Sequence, residues 1–102
     1  MVEEDFQKRK RALISGSSQP VLKSIAVMRR DALRGQWVVL SPERIMTLDE
    51  VARAILRLCD GERSVDEIVK NLAKSFHAPE ETIKDDVIAF LQELSDQLMI
   101  DH

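Results

Sequence analysis

The sequence predicts an α+β domain in which a small three-stranded antiparallel sheet precedes three helices. Three observations predict it. Two short runs rich in Ile, Val and Trp sit in the first half, three amphipathic stripes at helical spacing fill the second, and the whole length of 102 residues has room for one small core.

The runs Ser24 to Arg30 and Gln36 to Ser41 predict two strands, and Asp31-Ala32-Leu33-Arg34-Gly35 between them predicts a hairpin connection. Pro42 interrupts, and Glu43 to Met46 predicts a third short strand that completes a meander. Such a sheet is marginal alone, so a helical layer must cover its apolar face. The first stripe is Leu48, Val51, Ala52, Ile55, Leu56 and Cys59, preceded by Thr47 and Glu50 at capping-box spacing. Gly61 is placed to end that helix in a left-handed conformation. Val65, Ile68, Val69, Leu72, Ala73 and Phe76 form the second stripe, with Ser64 and Glu67 as its capping box. The third is Ile83, Val87, Phe90, Leu91, Leu94 and Leu98, opened by Pro79 and by the acidic pair Glu80-Glu81 at the positive helix end.

Residues 1–20 are polar and end in Ser15-Gly16-Ser17-Ser18-Gln19-Pro20, which reads as a flexible basic N-terminal extension, with the folded domain at 21–102. A helix over Glu3 to Leu13 would be marginal in isolation. No signal-like or membrane-length apolar stretch is visible, so the expected location is the cytoplasm and no membrane partner is implied.

Charge is divided. Residues 1–36 hold eight Lys/Arg against four Asp/Glu, whereas residues 37–102 hold seven against fourteen. A folded part this acidic suits a polyanion poorly, because nucleic-acid affinity rests mainly on cations that neutralise phosphates. The run Lys8-Arg9-Lys10-Arg11 reads as a solvated tail.

Nothing in the sequence assembles a catalytic centre, and no cofactor is expected. Cys59 lies on an apolar stripe and reads as a small core residue; His77 and His102 are too far apart in sequence to suggest a metal-ligand cluster. Asp85 and Asp86 with Glu81 read as a solvated face, since successive helical residues point about 100° apart. The glycines at 16, 35 and 61 are too scattered to cradle phosphate. One Trp, three Phe and no Tyr leave little to wall a flat ligand.

Two features exceed what folding requires. The strand Glu43 to Thr47, if outermost, offers unpaired backbone groups to another strand. Ile88 is apolar outside the third helix's core stripe, beside Lys84 and Ser95. Together they suggest a groove for an extended peptide, and an open edge also suits a second copy of the chain as a homodimer. A sheet with three helices is winged-helix-like, so a small nucleic-acid-binding protein is the alternative. The third helix carries six carboxylates against Lys84 alone over residues 79–97, and phosphate would be repelled. A plain structural subunit is the remaining reading.

The run Arg34-Gly35-Gln36-Trp37-Val38-Val39-Leu40-Ser41-Pro42-Glu43-Arg44, continued by Leu48-Asp49-Glu50, Ala54-Ile55-Leu56, Leu58-Cys59-Asp60-Gly61 and Ser64-Val65-Asp66-Glu67-Ile68-Val69, resembles the pyrroloquinoline quinone (PQQ) biosynthesis protein D family, PqqD, over roughly residues 24–100. The resemblance implies a non-enzymatic peptide chaperone with a winged-helix-like fold, a recognition element for ribosomally made, modified peptides. It implies as partners the precursor peptide PqqA and the radical SAM enzyme PqqE, which cross-links a glutamate to a tyrosine of that peptide. It also implies that the peptide lies as an extra strand against the third strand, beside the third helix. On this sequence those positions are Arg44, Ile45, Met46 and Thr47 on the strand, and Lys84, Val87, Ile88 and Leu91 on the helix.

Overall fold

The structure is a computed structural model that describes residues 12–102. The strands are β1 (Val21–Leu22), β2 (Val27–Asp31), β3 (Gln36–Ser41), β4 (Arg44–Leu48) and β5 (Ile100–Asp101); the helices are α1 (Glu50–Arg57), α2 (Val65–Phe76) and α3 (Glu80–Asp96). Strands β2, β3 and β4 form an antiparallel meander in that order, while β1 pairs with β5 in a separate two-stranded ribbon.

The central strand explains why the sheet holds. Val38 and Val39 point to opposite faces, yet both are buried. Val39 joins the core under the helices together with Leu48, Ile55, Ile68, Val87, Leu91 and Leu94. The β2–β3 turn is fixed by Asp31, whose carboxylate accepts from the N–H groups of Leu33 and Arg34, and Gly35 completes it at φ 67°.

Each helix has an identifiable start and stop. At α2 the capping box is complete: the Ser64 hydroxyl accepts from Glu67 N–H while the Glu67 carboxylate accepts from Ser64 N–H. Two helices end in Schellman motifs. Left-handed His77 (φ 52°) closes α2 through Ala78 N–H to Ala73 C=O, and left-handed Leu98 (φ 60°) closes α3 through Met99 N–H to Leu94 C=O.

Several boundaries differ from the sequence reading. The first meander strand begins at Val27, because Ser24 and Ile25 form a turn, and the third runs on to Leu48. Thr47 therefore belongs to β4, and the cap of α1 is Asp49, whose carboxylate accepts from Ala52 N–H. Helix α1 stops at Arg57, before Gly61. That glycine instead adopts φ 81° in a turn where Asp60 accepts from the N–H groups of Glu62 and Arg63. Ribbon β1–β5 had no sequence signal beyond its length of two residues per strand.

The largest difference concerns the residues before Val21. The stretch expected as a linker packs on the body: Ile14 and Pro20 are buried, Ser18 C=O accepts from Val65 N–H and Gly16 C=O from Asp66 N–H. A Cβ at Gly16 would stand 2.6 Å from the Asp66 carboxylate, so a larger residue there would displace that side chain. Residues 14–20 thus pack with the body of the fold rather than apart from it. The basic run Lys8 to Arg11 and most of the Glu3 to Leu13 segment fall outside the described residues.

Candidate functional site: an open strand edge beside the last helix

Among the described residues strand β4 pairs only with β3, so its other side is an edge of the sheet. Two residues, Pro42 and Glu43, separate Ser41 from Arg44, so the ladder closes there on a hydrogen-bonded pair. The alternate residues Ile45 and Thr47 then direct their N–H and C=O groups away from β3. Among the described residues no other backbone hydrogen bond uses positions 44–48. Side chains follow the same alternation. Met46 and Leu48 turn toward the helices, whereas Ile45 projects from the opposite face and is 63% exposed.

Helix α3 runs alongside this edge in the opposite direction. Its C-terminal end, Gln97 and Leu98, shares a cleft of about 320 Å3 with Arg44 and Pro42. Its first half, Asp86 and Phe90, shares another of about 330 Å3 with Asp49, Val51, Ala52 and Ile55. The two clefts stand at opposite ends of β4. Of the α3 residues in these clefts, Asp86, Phe90 and Gln97 share one helical face. The inner end of the groove is apolar, from Val51, Ile55 and Phe90, with carboxylates of Asp49 and Asp86 at its rim.

The helix residues implied by the family resemblance fall elsewhere. Val87 and Leu91 are both 0% exposed and belong to the core beneath the groove. Lys84 pairs with Asp66 of α2 at 3.3 Å, and Gln92, two turns further on, binds the backbone of Ala12 and Ile14. Ile88 lies between them on this same flank, half-buried against the core. This side of α3 is thus turned to α2 and to the N-terminal segment, away from β4. The strand residues Arg44, Ile45, Met46 and Thr47 do lie together on the open edge.

Sequence reasoning passed over Asp49, Val51, Asp86 and Phe90. The last two had been read as solvated face and core. What turns them into groove wall is which flank of α3 the N-terminal segment covers, and only the Gln92 contacts reveal that. Trp37 is also accounted for: it faces the helices, with the Arg53 guanidinium carbon 3.9 Å from its ring centroid.

Comparison with known proteins bears on this arrangement. Residues 36–100 match the family described as Coenzyme PQQ synthesis protein D (PqqD). A PqqA binding protein of Bradyrhizobium diazoefficiens is 46% identical over 84 residues, 82% of each chain. The solution structure of the PqqD truncation of Methylobacterium extorquens PqqCD, a stand-alone recognition element for ribosomally synthesised and post-translationally modified peptides, superposes with a TM-score of 0.77. It is 33% identical, and the match covers 90% of this chain and 97% of that one. TbiB1 in complex with the TbiA(β) leader peptide, 19% identical, has a TM-score of 0.67 over 79% of this chain and 94% of its own, a likeness of fold.

Proposed function

The chain belongs to the PqqD family, and on that premise we propose that it captures the precursor peptide PqqA by strand addition to β4 and presents it to the radical SAM enzyme PqqE, performing no reaction itself. The observation that carries the reading is the edge of Arg44–Leu48, unpaired among the described residues, lying beside a helix with a cleft at each end. An extended peptide laid there completes the hydrogen bonds of Ile45 and Thr47, and side chains in the clefts fix its register. The peptide is ordered only on binding, so apolar anchoring must outweigh that entropy.

The peptide-binding set that this reading favours is the edge Arg44, Ile45, Met46 and Thr47 together with Phe90 and Asp86, with Val87 and Leu91 supporting Phe90 from the core. A titration of the isotopically labelled chain with PqqA tests it. The amides of Ile45 and Thr47 are expected to shift most. If the largest shifts instead fall on the opposite edge, at Met28 to Arg30, the edge has been misassigned.

A further inference from the structure

The cleft at the Arg44 end of the strand contains a residue that the fold does not explain. Leu98 closes α3 in a left-handed conformation at φ 60° while leaving its side chain 66% exposed. The Schellman motif explains the backbone but not the leucine, since glycine adopts that conformation without steric conflict and an exposed side chain gains nothing from packing. Leu98 nevertheless stands with Pro42 and with Ile25, itself 56% exposed, as the apolar wall of a recess at the end of β4, completed by the polar residues Ser41, Glu43, Arg44, Asp96 and Gln97. An apolar side chain kept exposed in a left-handed backbone position beside an open strand edge is available for recognition.

Resting on the strand-capture reading above, we infer that this recess is a second anchor pocket, which takes one aliphatic or aromatic side chain of the captured peptide. The register sets where that side chain lies. A strand added to β4 turns the residues opposite Arg44, Met46 and Leu48 toward α3, because those positions share the helix-facing side. The residue opposite Leu48 reaches the cleft walled by Val51, Ile55 and Phe90, and the residue opposite Arg44 reaches the recess at Leu98. The two anchors are therefore at i and i+4 of the peptide, about 13 Å apart along an extended chain. Specificity then resides in the spacing of two apolar side chains across the strand, and a peptide with its anchors three or five apart would turn one of them to the wrong face.

An alanine scan of PqqA, read by fluorescence anisotropy against the full chain and against Leu98→Gly, tests this. Two apolar positions four residues apart should each weaken binding at least about tenfold when replaced. With Leu98→Gly the penalty at one of them should vanish while the other remains, and the melting temperature should not fall, because glycine suits the cap. A single sensitive position, or two penalties that both survive in Leu98→Gly, overturns the pocket. Strand capture would still stand if Ile45→Pro abolished binding in that case; failure of intact PqqA to bind the unaltered chain would end both readings.

Discussion

The side-chain amide of Gln92 bridges the two peptide groups that flank Leu13: it accepts from Ile14 N–H at 2.9 Å and donates to Ala12 C=O at 2.9 Å. One helix residue thereby holds an extended segment nearly eighty positions away and seats Ile14 in the core. Gln92→Ala should cost about 1 kcal/mol and Ile14→Ala about 2 kcal/mol in urea denaturation. Equal midpoints for the parent and both variants would show that the segment contributes nothing to stability.

A proline at position 45 removes an N–H that points away from β3, whereas one at position 39 strikes the buried centre of the sheet. Ile45→Pro should therefore reduce PqqA affinity at least about tenfold with a small change in the urea midpoint, while Val39→Pro should unfold the chain. Calorimetric titration and circular dichroism on the same samples separate the two outcomes.

The two flanks of α3 should respond in opposite ways. Phe90→Ala is expected to weaken the peptide about tenfold or more, as loss of a groove wall. Ile88→Ala, on the flank turned to the N-terminal segment, should cost about 1–2 kcal/mol of stability and leave peptide affinity unchanged. Binding data with the reverse order would place the groove on the other side of the helix.

Acid and alkali should act through different groups. Backbone N–H donation from Arg63 and Glu62 holds Asp60 below its ordinary 3.8, and the Ser64 N–H holds Glu67 below 4.5. Their folded-state values are depressed, so their contribution is present above those ordinary values and is lost as pH falls below them. Asp60→Asn and Glu67→Gln should flatten the acid limb of a stability profile. Burial pushes the Cys59 thiol from 9.0 up to about 12, with the Asp60 charge adding to it. A raised value means stability intact below pH 9.0 and lost as pH rises toward 12, and slow modification of the native thiol at pH 8. Thiol labelling at that pH as fast as in urea would contradict this.

The meander and the three helices were legible because their signals are local. The Gln36 to Ser41 run, the Ser64 and Glu67 capping box and the stripe from Val65 to Ala73 each fix a face without reference to the rest of the chain. The open edge of β4 was legible for the same reason, since its place as last strand of a meander makes it outermost. Where long-range contacts decide, the sequence reading failed. Ser15 to Pro20 has the composition of a linker, yet it is held by Val65, Asp66 and Gly61, and Ile14 just before it by Gln92, partners dozens of residues away. Contacts of Ala12, Ile14 and Asp66 with Gln92 and Lys84 likewise place that flank of α3 against the rest of the fold, while Phe90 and Asp86 line a cleft with the start of α1. The cap at Asp49 was missed by two residues because Thr47 and Glu50 fit a capping template equally well until β4 is seen to extend through Leu48.

The sheet's remaining border, β2, carries Arg29 and Arg30 side by side, both exposed. A border studded with cations resists a neighbouring strand of its own kind, since two such rows brought together repel. Pairing of β2 with a second copy of itself is therefore disfavoured, which leaves β4 the better placed of the two meander borders to accept an added strand.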